Sequence, residues 1–184
     1  MTQEQTDQVK AIHEHLSKSN ESSWPRQVWG SEDHYAFFLE RLLARAIGNR
    51  PVVLASAKVV KDDQNDVVRF EAAIFTDRLI ITGGIDVEPA TDERGMRRPH
   101  PRHGDVGVIP RSNIKAVTLH DVDNFGEHGD GGPDVISFTV DVDGHAPIVL
   151  PMPRYNHALS GDHSQLFDAL LDDLDTKRQA AIVQ

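Results

Sequence analysis

Four arginines and two histidines fall within ten residues, at Arg94, Arg97, Arg98, His100, Arg102 and His103. A guanidinium presents paired donors that match a carboxylate or phosphate as a fork, so this stretch predicts a grip on an anionic ligand or an acidic strand of a partner protein. The same run also reads as a solvated segment that neutralises the neighbouring Asp92 and Glu93. His100 and His103 are spaced to share a metal if a third ligand arrives from elsewhere, but Pro99 and Pro101 keep them off a helix face. The segment from Asp121 to Asp130 offers hard oxygen donors, with Gly126 in the sixth place of a calcium loop. Phe125 then occupies the fifth place and Gly132 the twelfth, where a bidentate glutamate belongs. Turn chemistry accounts for these residues, and the expectation is no metal and no cofactor.

Catalytic signatures are missing from the sequence. It has no Gly-x-Ser-x-Gly elbow, no phosphate-cradling glycine loop, no dinucleotide fingerprint and no His-Glu-x-x-His; His13-Glu14-His15 lacks a ligand one turn further on. Zero cysteine removes thiol nucleophiles, disulfides and thiolate zinc sites. Lone histidines such as His120 and His145 read as structural. The chain is therefore not expected to be an enzyme. With 19 basic against 29 acidic residues, a net charge of −10 repels nucleic-acid backbones, and no nucleic-acid partner is expected. The opening residues carry neither a basic nor an apolar leader, and no stretch approaches the roughly 18 apolar residues of a membrane helix, so a cytoplasmic location is expected.

The elements that position these residues follow from periodicity. Val9, Ile12 and Leu16 make a narrow helical stripe, ended by the serine-rich run to Ser23 and by Pro25. From a cap at Ser31, apolar positions recur at Tyr35, Phe38, Leu39, Leu42, Leu43, Ala46 and Ile47 before Gly48. That stripe either covers the following domain or forms a homodimer, and Trp24 and Trp29 between the helices read as aromatic plugs. From Pro51 the period falls to two. Val53 to Val59, Val68 to Ile74, Leu79 to Thr82, Val106 to Ile109, Ile114 to Leu119, Ile136 to Val142 and Ala146 to Leu150 read as seven strands, the third ending at Gly83-Gly84. Residues 85–103 and 121–133 read as polar loops, and Asp143-Gly144 as a hairpin turn. Asp162, with Gln165 three residues on, caps a last helix striped by Leu166, Phe167, Leu170, Leu171 and Leu174.

Seven short strands followed by one amphipathic helix resemble the bacterial pleckstrin-homology-like (PH-like) domain. Phe75-Thr-Asp-Arg-Leu-Ile-Ile-Thr82 is similar to its strand-turn-strand passage, and Val108-Ile-Pro-Arg-Ser-Asn-Ile114 to the entry into its fifth strand. The resemblance implies an α+β fold: a seven-stranded antiparallel split barrel capped by a C-terminal helix over residues 49–184, with residues 1–48 as a helical extension. It further implies a binding module for protein segments or acidic lipid headgroups. The family's lipid loop here reads Lys61-Asp-Asp-Gln-Asn-Asp66, whose three aspartates repel a phosphorylated headgroup and favour a protein partner. Arg94, Arg97, Arg98, His100, Arg102 and His103 are then the candidate contact residues. The alternative is a small-ligand barrel or small enzyme with a pocket lined by the 85–103 and 121–133 loops.

Overall fold

The change of period near Pro51 marks a boundary between helices and sheets. The computed structural model describes residues 3–19, 24, 34–62, 67–91, 97–123, 135–152 and 160–182. Two helices come first, α1 (Gln3–Ser19) and α2 (His34–Ile47). A four-stranded antiparallel meander follows: β1 (Leu54–Asp62), β2 (Val67–Phe75), β3 (Leu79–Thr91) and β4 (Arg97–Pro110). A 3-10 turn at Arg111–Asn113 leads into a three-stranded antiparallel meander, β5 (Ile114–Asp123), β6 (Val135–Val142) and β7 (Ile148–Leu150). The long helix α3 (Ser160–Ile182) ends the described chain. The fold is thus α+β with two antiparallel sheets. Asp162 stands inside the first turn of α3 rather than at its cap, a position that also suits a carboxylate.

The largest departure from the sequence reading lies in β3 and β4. Residues 85–91 and 97–103, expected as a polar loop, are strand, and they pair in register from Leu79↔Pro110 to Thr91↔Arg97. A bulge between Asp86 and Val87 leaves Arg102 as the extra residue on β4. Polar composition misleads here because beyond Val87 the β3–β4 ribbon has no paired β2 residue beside it, and backbone pairing alone sets its register. Gly83-Gly84 is likewise mid-strand and not a stop. A Cβ on Gly83 would lie 3.0 Å from Leu39 Cδ1 and from Leu43 Cδ2, so the missing side chain lets α2 lie close on β3. The shorter hairpin follows its turn signal: Gly144 adopts φ 73°, and the His145 amide donates to Val142 O at 3.2 Å.

The four-stranded sheet packs on both faces, the inner one only in part. Its outer face carries Ala55, Ala57, Phe70, Ala72, Ile74, Ile81 and Ile85 against Val9, Ile12 and Leu16 of α1 and Leu39 and Leu43 of α2. Its inner face carries Leu54, Ala73, Phe75, Ile80 and Ile109 against Phe138, Val140 and Leu150 of the second sheet and Leu166 and Leu170 of α3. The stripe of α2 is rotated from the expected one. Ala36, Leu39, Glu40, Leu43, Ala44 and Ile47 are buried, while Phe38 is 47% exposed, because the helix must meet both the sheet and α1, and the two alanines permit that approach. Trp24 plugs this layer edge-on to Phe70, with centroids 6.0 Å apart; Trp29 lies outside the described residues. Arg111 closes the other core. Its guanidinium donates to Asp173 Oδ2 at 2.6 and 2.8 Å, to Thr76 O at 3.1 Å and to Ala169 O at 3.3 Å, joining the β2–β3 corner to α3.

Candidate functional site

Strand alternation places one set of side chains of the first sheet where the second sheet does not cover them. Lys58, Glu71, Gly84 and Asp105 lie opposite one another across all four strands. Arg69 and Asp86 form the neighbouring row. Lys58 Nζ meets Glu71 Oε2 at 2.6 Å, Arg69 Nε meets Glu71 Oε1 at 2.5 Å, and Arg69 Nη1 meets Asp86 Oδ1 at 2.8 Å. Gly84 makes room for this network, since a Cβ there would come within 3.1 Å of Arg69 Nη2. The guanidinium lies across the glycine, so the first row reads cation, anion, cation, anion. Asp105 closes it and makes no hydrogen bond or ion pair with a described residue.

Above this floor lies a cleft of about 880 Å³ whose far wall is formed by the β6–β7 turn, β7 and the residues just after it, among them His145, Pro147, Val149 and Met152. The Met152 amide donates to Ser56 Oγ at 2.8 Å and ties this wall to β1. β7 pairs only with β6 among the described residues, leaving its other edge without a strand. Val60 and Val149, 44% and 46% exposed, supply apolar surface on the two sides.

The charges on the floor are fixed. Burial pushes the Glu71 carboxyl up, but hydrogen bonds from Lys58 and Arg69 and their positive charges outweigh it and hold the group below its ordinary value. Hydrogen bonds to Glu71 and then to Asp86 push Arg69 further up. Glu71 and Arg69 therefore both stay ionised through neutral pH, a fixed pair that can orient a polar ligand.

A second polar cluster sits in the helical layer. Glu40 is 1% exposed; its Oε1 accepts from Trp24 Nε1 at 2.8 Å and lies 2.7 Å from His13 Nδ1, while Oε2 has no partner among the described residues. Burial raises the Glu40 pKa, against the opposing hydrogen bonds from Trp24 and His13. This cluster is enclosed, and its chemistry is that of a clasp between α1, Trp24 and α2.

The candidate contact residues named from sequence fall on the β3–β4 ribbon or outside the described residues. Arg97, Arg98, His100, Arg102 and His103 are on β4, which places His103 opposite Asp86, His100 opposite Glu88 and Arg97 opposite Thr91; Arg94 lies outside the described residues. Of the second expected loop, residues 121–123 belong to β5 and 124–133 lie outside the described residues. No group of three or more histidine or acidic side chains among the described residues is placed to hold a metal ion. No described helix is long and apolar enough to cross a membrane. Lys58, Glu71, Gly84 and Asp105 escaped sequence reading. Their signal is the polar alternate of β1 and β2, visible in Lys58, Arg69 and Glu71 once the apolar alternate has been assigned to a core. No protein-family model, no curated protein and no solved structure matches this chain, so the reading of the cleft rests on its own geometry.

Proposed function

We propose that the chain is a non-catalytic binding module of the PH-like type, which takes a segment of a partner protein into the cleft between the four-stranded sheet and β7. The observation that carries this reading is the cleft itself: a floor of ion-paired side chains, Lys58, Glu71, Arg69 and Asp86, facing a wall whose strand edge is unpaired among the described residues. A free strand edge can accept an extended peptide through backbone hydrogen bonds, while the paired charges select among side chains. Seven strands followed by one helix, here in sheets of four and three, also fit the element order that the resemblance to the PH-like family implies. The arginine-bearing ribbon through Arg97, Arg98 and Arg102 continues from the cleft past Asp86 and adds a cationic flank for an acidic part of the same partner. Lipid headgroups are the weaker ligand, because Asp62 ends β1 within the acidic run to Asp66.

The test is affinity capture from the source cell's lysate with the wild type and with Gly84→Val, alongside anionic and neutral vesicles. A Cβ there meets the far end of Arg69 first, at 3.1 Å, and the Phe70 carbonyl only at an ordinary van der Waals distance of 3.6 Å, so the valine should displace the guanidinium and leave the fold intact. One protein retained by the wild type and lost by a Gly84→Val variant of unchanged melting temperature is the expected result. Equal retention by the variant, or capture by anionic vesicles alone, would overturn the reading.

A further inference from the structure

A second surface has the opposite character to the chain's overall charge. Between α1 and α2 runs a groove of about 520 Å³ lined by Gln5, Gln8, Phe38, Arg41, Leu42 and Arg45 among others. No described lining residue is acidic, although the chain carries a net charge of −10. Arg41 and Arg45 make no hydrogen bond or ion pair with a described residue, and Phe38 is 47% exposed. Phe38, Arg41, Leu42 and Arg45 fall at the i, i+3, i+4, i+7 spacing of one helix face.

The chain itself holds the complementary face. On α3, Asp168, Leu171, Asp172 and Asp175 have the same spacing and are exposed, Leu171 by 39%. None of the three aspartates is hydrogen-bonded or ion-paired among the described residues, in contrast to Asp173, which Arg111 holds. Past Leu174 the helix outruns its support: every residue from Asp175 to Ala181 is exposed, with Lys177 reaching back to the carbonyls of Ser112 and Ile114. A helical overhang of this length gains little from its own backbone bonds and is stabilised mainly by packing. Two cations follow, Lys177, turned to those carbonyls, and Arg178, leaving the face acidic over Asp168 to Asp175.

We propose that the α1–α2 groove is a self-association site, occupied by the acidic face of α3 from a second copy of this chain. One copy cannot make the contact internally, because α2 belongs to the core on the outer face of the four-stranded sheet and α3 to the core on its inner face. Two copies related by a two-fold axis make it twice, each giving α3 and receiving the other's. Aspartates then meet Arg41 and Arg45 as charge-assisted forks, and Leu171 covers Phe38 and Leu42.

The test is sedimentation equilibrium at concentrations up to about 1 mM, using three proteins: the wild type, Arg41→Glu with Arg45→Glu, and Asp168→Lys with Asp172→Lys. All four positions are exposed, and circular dichroism checks that each variant stays folded. The wild type should form dimers, and each variant should need at least about tenfold higher concentration to do so, as loss of close charge pairs demands. An equimolar mixture of the two variants should dimerise again, since the reversed groove meets the reversed helix while the other contact is unaltered. A wild type that stays monomeric, a dimer indifferent to both reversals, or open-ended assembly in place of a pair would each overturn the proposal. So would an acidic leucine-containing helical peptide that binds the groove of a strictly monomeric protein, which would assign the site to a foreign partner.

Discussion

Two glutamates respond to pH in opposite senses. Glu40 is buried, and its pKa is raised; the folded chain therefore holds that proton more tightly than the unfolded chain does. Stability should fall as pH rises from the unfolded value near 4.3 towards the folded value, and level off above it. Glu71 is held below its ordinary value; its contribution is present above the unfolded pKa and is lost as pH falls through the folded one. Melting temperatures between about pH 3 and 8 should separate the two. The wild type minus Glu40→Gln difference should decrease with rising pH, and the wild type minus Glu71→Gln difference should increase; the reverse slope would refute the burial assigned to Glu40 in the first series and the ion pairs assigned to Glu71 in the second. Glutamine keeps an Oε1 acceptor for Trp24 and His13, so the comparison isolates the charge. Glu40 was illegible in the sequence because an apolar stripe is found by its apolar members. A carboxylate at a stripe position declares itself only through Trp24 and His13, which lie 16 and 27 residues away.

At the scale of elements, the paired glycines of β3 should separate packing from binding. Gly83 faces α2 and Gly84 faces the cleft, so valine at the first should cost about 1–3 kcal/mol by overpacking Leu39, Leu43 and Val106, while valine at the second displaces Arg69 and spares both cores. Urea unfolding measures the first, and equal stability of the two variants would contradict the assigned faces. Arg111 is the matching test for α3. Replacing it by alanine leaves Thr76 O, Ala169 O and Asp173 without their donor and should cost about 2–3 kcal/mol, with Arg111→Lys restoring only part because an ammonium cannot span all three. A loss below about 0.5 kcal/mol would show that the clasp is dispensable. The existence of all seven strands was legible from alternation, and the corner at Thr76 from its turn chemistry: Thr76 Oγ1 accepts from the Leu79 amide at 2.9 Å. The ends of β3 and β4 were not legible, since a two-stranded ribbon needs no apolar alternation to hold its backbone bonds.

At the scale of the molecule, the four-stranded sheet belongs to two cores at once, and that governs what residues 1–48 do. Read as an extension, they are separable. Packed as they are, Val9, Ile12, Leu16, Leu39 and Leu43 cover Phe70, Ile74, Ile81 and Ile85, all four of which are no more than 1% exposed. Removing the helices would bare these residues together with Ala55, Ala57 and Ala72, a contiguous apolar patch of the kind that drives association. The inner core, built on Phe75, Phe138, Leu166 and Leu170, would remain but would rest on a sheet wetted on its other face. Residues 49–184 expressed alone should therefore aggregate or bind a hydrophobic dye, and should melt well below the full chain with a broadened transition. Calorimetry and dye binding on the two proteins decide the matter. A soluble 49–184 fragment that melts cooperatively within a few degrees of the full chain would mean that the second sheet and α3 suffice, and that the helical layer serves its grooves rather than the fold.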